Sequence, residues 1–380
     1  MITKILSFIQ KHNLITADDR LIVGVSGGAD SVCLLHVLSI LQKKIPFSIY
    51  VVHVHHGLRL QADDDEAFIV SLCLELEVPY EVIHASALQE AKNQKISVEE
   101  AGRNVRRLAF ETAMKRHEGT KIVLAHHRND NVETVLMNLM RGAGISGLSG
   151  IKALAGDYIR PLLVVDRLEI ESWLQSRNFG YRTDETNSEN VYTRNCLRNQ
   201  IIPLMEAHVN SQAVLHVDRA AHRLREVDDF LNKQTEAAWK KMIPDATKSK
   251  GGIYIPDETK AEESIYIPDE LYHDLHPALQ KNIIKKALIT LSKKSKNIDQ
   301  EHILAVWRLF ENQVGKRVDL PYGMKAFREY HGVRLQCNVP EMNSSSVQTN
   351  ASDTQVVGRQ GVAPYPIPPF EITFTKESVT

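Results

Sequence analysis

LIVGVSGGADSVCLLHV, at residues 21–37, joins an apolar run to a helical pattern through a short loop with two glycines. An uninterrupted apolar run is typical of a parallel strand buried on both faces. The paired glycines of SGGADS, residues 26–31, let the backbone approach an anion. The following helix would offer unpaired N–H groups to the same anion. Residues 21–37 therefore predict a strand, a phosphate-binding loop and a helix, although a Gly-Gly pair there can also be a plain tight turn.

The loop lacks the Gly-Lys-Ser/Thr ending of a Walker loop and the spacing of G-x-G-x-x-G. SGGADS instead resembles the PP-loop, SGGxDS, of the ATP pyrophosphatase family. Enzymes of that family cleave ATP between its α and β phosphates. The resemblance implies that six residues hold the pyrophosphate part of ATP, with Mg²⁺ offsetting its charge. They are Ser26, Gly27, Gly28, Ala29, Asp30 and Ser31.

Strands and helices alternate along the first half of the chain. The apolar patterns predict strands at residues 21–25, 47–54, 79–83 and 121–125, with a helix after each. Such alternation predicts an α/β fold with a doubly wound parallel sheet, whose ligands bind at the carboxyl ends of the strands. A mainly helical second domain is expected to follow.

Histidines gather where two of these strands end, in HVHHGLR at residues 53–59 and in the pair His126 and His127. Imidazole is a common zinc ligand, but neither group has carboxylates or thiolates at metal-binding spacing in the sequence. A structural or nucleotide-pocket role is therefore favoured over zinc. No metal ligand is assigned, although Mg²⁺ would arrive with the ATP phosphates and Asp30 is a candidate to hold it.

Two carboxylates follow the fourth strand. Asp130 and Glu133 are three residues apart, so they share one face of the first turn of a helix. Acidic residues at that place commonly do no more than complement the helix dipole. Since this helix starts at the same sheet edge as the glycine loop, the pair could also bind a cationic substrate, orient an amine or hold Mg²⁺.

Composition sets further limits. The 380 residues carry a formal net charge of −1, so any nucleic-acid site must come from a local basic patch. No apolar run is long enough to span a membrane, and no secretory signal is recognisable at the N-terminus. The 4 cysteines are scattered without a C-x-x-C pair, which favours free thiols in a reducing compartment. We therefore expect a cytoplasmic protein without a membrane partner.

Several segments of the first half resemble the tRNA(Ile)-lysidine synthase family, which are bacterial PP-loop enzymes, and occur in that family's order. The segments are SGGADS, HVHHGLR, EEAGRNVRR, AHHRNDNVET, RGAGISGLSGI, IRPLL and DETN…YTRNCLRNQIIPL. Residues 302–330 also resemble the family's middle domain. Asn129 and Asn131 depart from the pattern, because the family often has aspartate and glutamine there.

The resemblance implies a two-step reaction. ATP adenylates the C2 oxygen of the wobble cytidine in a tRNA(Ile) with the anticodon CAU, and the ε-amine of free L-lysine then attacks C2 and expels AMP. The lysidine formed pairs with A instead of G, which changes the identity of the tRNA from methionine to isoleucine.

The resemblance also implies roles for single residues. Asp130 and Glu133 would bind the lysine ammonium, and one of them would take its proton. Arg106 would be a third catalytic residue that positions the substrate, unless it is one more exposed helix arginine. Arg194 and Arg198 are candidates to contact the tRNA or the AMP moiety.

We expect a PP-loop catalytic domain at residues 1–208, a linker helix at 209–243 and a helical tRNA-binding domain at 244–337. Residues 338–380 would form a tail, partly disordered or the remnant of a further domain. Lys285 and Lys286 belong to a lysine-rich helix at 279–296. That face is either simply solvated or a phosphate-contacting patch for tRNA. The chain could also form a homodimer.

Two alternatives remain. Another PP-loop tRNA-modifying enzyme, such as a thiolase, would use cysteines, but Cys33 falls inside a predicted helix and Cys196 is solitary. A catalytically idle tRNA-binding protein could keep the fold, although the intact loop, Asp130 and Glu133 argue against it. Amidating relatives would need an ammonia source, and no glutaminase domain is recognisable.

Overall fold

A computed structural model describes residues 1–55, 62–182, 193–242, 262–294 and 297–338. The described residues divide into two compact units, 1–225 and 226–338. This division lies inside one long helix, whereas the domain limits expected at residues 208 and 243 stay predictions. The expected tail at 338–380, apart from residue 338, lies outside the described residues.

The first unit alternates strands and helices. Its strands are β1 (Arg20–Gly24), β2 (Ser48–His55), β3 (Tyr80–His84), β4 (Lys121–Val123), β5 (Leu154–Ala155) and β6 (Tyr158–Ile159). Its helices are α1 (Ile2–Lys11), α2 (Ala29–Gln42), α3 (Ala62–Glu75), α4 (Ala87–Gln94), α5 (Val98–Arg116), α6 (Arg128–Met140), α7 (Ile145–Leu148), α8 (Arg167–Gln175), α9 (Thr193–Cys196) and α10 (Ile202–His208). The long helix α11 (Ala213–Met242) follows.

The six strands form one sheet in the order β3-β2-β1-β4-β6-β5. All neighbouring pairs are parallel except β5 and β6, which form an antiparallel pair at the edge. Because the chain winds outward from β1 in one direction and then from β4 in the other, the topological switch point, where open α/β sheets bind ligands, lies between the ends of these two strands. The doubly wound sheet expected from the sequence is confirmed, and β1 and β4 carry the two candidate site segments.

Apolar side chains cover both faces of this sheet. On β1, Leu21 and Val23 join the core formed with α1, α2, α3 and α8, whereas Ile22 joins a second core formed with α5. This alternation explains why the strand is apolar throughout. Gly24 ends β1 where the Phe110 ring of α5 approaches, and a Cβ on Gly24 would lie 2.6 Å from the ring atom Cζ.

Two short segments were not predicted from the sequence. Helix α4 lies between β3 and α5, and its first turn is capped by the Ser86 hydroxyl accepting from the Gln89 N–H at 3.2 Å. Strand β6 ends at Ile159, because Pro161 starts a 3₁₀ turn, Pro161–Val164. Proline has no N–H to donate to a sheet.

The second unit combines helices with a small sheet. Its helices are the end of α11, α12 (Asp269–His273), α13 (Pro277–Ser292) and α14 (Gln300–Leu309), and its strands are β7 (Glu262–Pro268), β8 (Arg317–Asp319), β9 (Met324–Glu329) and β10 (Gly332–Asn338). The strands are antiparallel in the order β7-β10-β9-β8. The mainly helical region is confirmed, and the sheet is an addition that the sequence did not predict. No described helix is long and apolar enough to cross a membrane.

Replacing Phe110 with alanine tests the packing of α5 against β1. Phe110 is 7% exposed, so Phe110→Ala should lower the free energy of unfolding by about 3–5 kcal/mol, the usual cost of emptying such a site. Leu108 lies on the same helix but is 42% exposed, and Leu108→Ala should cost no more than about 0.5 kcal/mol. Urea unfolding of both variants measures the difference, and equal losses would contradict this packing.

Candidate active site

In the loop after β1, the Ser31 hydroxyl forms hydrogen bonds with backbone groups of the same loop. The Ser31 hydroxyl accepts from the Ser26 N–H at 3.2 Å and donates to the Gly28 carbonyl at 3.0 Å. Gly27 has a φ of +86°, a conformation that favours glycine. Gly28 caps α2 without any side-chain hydrogen bond, so the first N–H groups of the helix remain available to an anion.

The backbone of a distant residue, Arg182, is hydrogen-bonded to this loop. The Arg182 N–H donates to the Gly27 carbonyl at 2.9 Å. The Arg182 side chain reaches α3, where its Nε donates to Asp65 Oδ1 at 3.0 Å. Sequence reasoning missed Arg182, because no local pattern indicates a contact between such distant residues. Arg182 therefore links the loop to α3. No described side chain forms a cap hydrogen bond at the start of α2.

Beyond β4, two carboxylates and two guanidinium groups form one charge cluster. Arg194 donates through Nε to Glu133 Oε2 at 2.6 Å and through Nη2 to Asp130 Oδ1 at 2.9 Å. Arg198 donates through Nε to Glu133 Oε1 at 2.6 Å and through Nη2 to Asp130 Oδ1 at 2.9 Å. The structure thus brings four of the residues singled out in the sequence into direct contact.

His127 connects this cluster to the loop after β1. Its Nδ1 accepts from the Asn129 N–H at 3.2 Å, so a neutral ring carries its proton on Nε2. That Nε2 is buried, has no hydrogen-bond partner among the described residues, and lies 3.6 Å from Asp30 Oδ2 and 3.5 Å from Asp130 Oδ2. The imidazole therefore lies between a carboxylate of the glycine loop and a carboxylate of α6.

Asp130 has two separate tasks. Its Oδ2 accepts from the His127 N–H at 2.9 Å and so caps the start of α6, while its Oδ1 accepts from both arginines. Burial would raise the pKa of this carboxyl, but the electrostatic effects of the neighbouring His127 and Arg194 outweigh burial, and the pKa lies below the ordinary value. Asp130 is accordingly an ionised acceptor.

Two other titratable groups at this edge of the sheet have shifted pKa values. Burial raises the pKa of Asp30, and the nearby Asp130 adds to the rise. Burial also lowers the pKa of His126 to about 4, so this imidazole is neutral near pH 7. A buried carboxyl whose ionised form is disfavoured gains from a cation beside it.

Comparison with known proteins agrees with this site. A family model described as a PP-loop domain matches residues 1–205. The tRNA(Ile)-lysidine synthase of Caldanaerobacter subterraneus subsp. tengcongensis is 35% identical over 347 residues, which cover 88% of this chain and 69% of the relative. The enzyme of the same name from Clostridium perfringens strain 13 is also 35% identical and covers 88% and 68%. The chain belongs to the tRNA(Ile)-lysidine synthase family.

Among solved structures, the U34-tRNA thiolase NcsA of Methanococcus maripaludis shares 19% sequence identity and a TM-score of 0.50. The match covers 59% of this chain and 78% of the thiolase. At this identity the likeness shows a common fold.

Within the tRNA(Ile)-lysidine synthase family pattern, both asparagine departures have structural partners. The Asn129 side-chain oxygen accepts from the Arg167 N–H at 3.1 Å, a bond that needs no charge. Asn131 is buried, donates to Asp218 Oδ1 at 2.8 Å and accepts from the Ile151 N–H at 2.7 Å. The two amides therefore hold neighbouring segments around α6.

The remaining residues singled out in the sequence are Arg106, Lys285 and Lys286. Arg106 is exposed on α5, and no ion pair joins it to Asp130 or Glu133. Lys286 of α13 pairs with Glu236, and its Nζ lies 5.1 Å from the centre of the Trp239 ring. Lys285 is half-buried and forms no ion pair with another described residue. The proposed roles of all three remain predictions.

The glycine-rich loop beside α6 offers a test of its packing against Asn131. Gly150 has a φ of +69°, and a Cβ there would lie 2.2 Å from Asn131 Oδ1. Gly142 has a similar φ of +72° but open space around it. Gly150→Ala should therefore cost about 1–3 kcal/mol more unfolding free energy than Gly142→Ala, the usual cost of overpacking. Equal costs in urea unfolding would show that only the backbone conformation matters.

Proposed function

We propose that this chain ligates free L-lysine to C2 of the wobble cytidine of tRNA(Ile) with the anticodon CAU, consuming ATP and releasing AMP and pyrophosphate. The observation that carries the proposal is the proximity of two sites. The glycine loop follows β1, a pair of buried carboxylates follows β4, and His127 lies between Asp30 of the loop and Asp130 of the pair. Family membership supports the choice of tRNA and amino acid.

In the first step, the cytidine C2 oxygen attacks the α-phosphorus of ATP, and the bond to the bridging oxygen breaks. Pyrophosphate leaves with the electron pair and is held by residues 26–31 and the start of α2. Mg²⁺ would offset the phosphate charge. Asp30 fits such a hard cation, because its Oδ1 is buried and has no hydrogen-bond partner among the described residues.

In the second step, the lysine ε-amine attacks C2, the bond from C2 to the adenylated oxygen breaks, and AMP leaves. The amine is protonated near pH 7 and must lose a proton before it attacks. Asp130 and Glu133 supply acceptor oxygens for the ammonium and a base for its proton. In the structure these oxygens are bound by Arg194 and Arg198, so lysine must share or replace guanidinium contacts. Switching the cationic partner keeps buried Glu133 compensated throughout.

The alternatives gain less support. Burial raises the pKa of Cys33 and of Cys73 to about 12, which disfavours the thiolate that sulfur transfer needs. Cys196 contacts Gln200, with its sulfur 3.7 Å from Oε1. An idle tRNA-binding protein would have no need for an ionised Asp130 beside a free helix start. The expected homodimer and the cytoplasmic location stay predictions.

A lysine-incorporation assay tests the proposal. Full-length protein with ATP, Mg²⁺, labelled lysine and tRNA(Ile) carrying CAU should transfer label to the tRNA. Asp130→Asn keeps an oxygen for the His127 N–H but removes the charge, and should lower incorporation by about 10²-fold or more. Tritium- or ¹⁴C-labelled lysine gives the measurement.

Glu77 is exposed, and Glu77→Gln should leave incorporation unchanged. ATP binding should persist in Asp130→Asn, since residues 26–31 are intact. Normal incorporation by Asp130→Asn would exclude the carboxylate from the reaction. Wild-type protein that binds ATP and tRNA without incorporating lysine would favour the idle binder, and incorporation of sulfur would favour a thiolase.

Salt dependence tests the lysine patch of α13. If Lys285 contacts a phosphate, Lys285→Gln should reduce the slope of log affinity for tRNA against log salt by roughly 0.7–0.9. Lys286→Gln should reduce it less, because Lys286 already pairs with Glu236. Filter binding across a series of KCl concentrations measures both slopes. An unchanged slope for Lys285→Gln would remove this residue from the tRNA interface.

A further inference from the structure

A second group of polar side chains lies at the ends of β2 and β3, outside the charge cluster. His55 and His84 are the last residues of these two parallel strands, and they pair directly in the sheet register. Their rings lie 4.7 Å apart between centroids. Glu66 of α3 reaches the same place, with its Oε2 3.4 Å from His84 Nε2. Two strands and one helix therefore contribute one side chain each.

These three side chains are close enough to bind one ion. One donor atom from each of His55, Glu66 and His84 lies within 4.8 Å of the other two, and no second group of this kind occurs among the described residues. A tetrahedral site with bonds of about 2.0–2.1 Å holds its ligand atoms roughly 3.4 Å apart. Closing the group around an ion thus requires movements of roughly 1 Å, within the reach of side-chain torsions.

A further carboxylate of the same helix lies beside His55, outside this group of three. Asp63 lies one turn before Glu66, and its Oδ1 is 3.1 Å from His55 Nε2. The Asp63 side chain is 90% exposed, whereas that of His55 is 10% exposed. A ring nitrogen of each histidine thus lies beside a carboxylate oxygen of α3.

We propose that His55, His84 and Glu66 bind a divalent transition metal ion of the Zn²⁺ class. Imidazole and carboxylate together suit Zn²⁺, Co²⁺ or Ni²⁺ better than Mg²⁺, which prefers oxygen ligands alone. Three protein ligands leave a fourth position for water, and the ion joins two strand ends to one helix. It fastens the start of α3 to the ends of two strands, one of which is β2, the neighbour of β1.

The sequence alone favours a structural or nucleotide-pocket role for HVHHGLR, because it contains no carboxylates at metal-binding spacing from these histidines. Tertiary structure supplies them, since α3 returns its first turn to the strand end. The proposal covers His55 from that segment, and residues 56–61 lie outside the described residues. It is independent of the proposed ligase activity, because the residues and the readouts differ.

Metal titration of the full chain tests the proposal. Protein stripped with a chelator and dialysed should take up one Zn²⁺ or Co²⁺ per chain, measured by elemental mass spectrometry. Co²⁺ in a tetrahedral nitrogen–oxygen site should give visible d–d bands without the near-ultraviolet sulfur-to-metal band of thiolate ligands. His84→Gln and Glu66→Gln should each weaken Zn²⁺ binding by at least about tenfold in competition with a chromophoric chelator.

His208 is exposed on α10, and His208→Gln should bind metal as the wild type does. Zn²⁺ should raise the thermal midpoint of wild-type protein and leave that of His84→Gln unchanged, while circular dichroism of both apo proteins shows that the variant is folded. Equal Zn²⁺ affinity in wild type, His84→Gln and Glu66→Gln would show that these histidines and carboxylates form ion pairs only.

Discussion

Two guanidinium groups neutralise two buried carboxylates at the end of β4, and the rest of the site depends on that charge balance. Glu133 is fully buried, and each of its oxygens accepts from an arginine at 2.6 Å. A buried charge without a partner costs several kcal/mol, so α6 can present these carboxylates only while a cation faces them. The same requirement supports the proposal that the pair receives a cationic amine.

Much of the first unit could be predicted from sequence, because its signals are local. The apolar run at 21–25, the glycines after it and the acidic pair of α6 each act within a few residues. Strand and helix periodicities follow from burial on two faces of a sheet. Even the placement of Asp130 near the glycine loop could be argued, since parallel strands end at one edge.

What sequence reasoning missed depends on pairing between distant segments. The Arg182 bond to the Gly27 carbonyl, the position of His127 between Asp30 and Asp130, and the pairing of His55 with His84 all follow from register and from the return of helices onto strand ends. The sheet of the second unit was missed for a similar reason. β8 has only 3 residues, too few to show an alternating pattern, and β7 pairs with β10 from a distant part of the chain, Ile265 with Leu335.

The division of labour within Asp130 has a stereochemical consequence. Because Oδ2 is committed to the backbone N–H at the start of α6, a proton arriving there would compete with the helix cap. Oδ1 faces the arginines instead, and its lone pairs can exchange one cationic donor for another without disturbing the helix. If this carboxylate acts as the base, the proton therefore arrives on one defined oxygen, and the approaching amine is restricted to one side of the group.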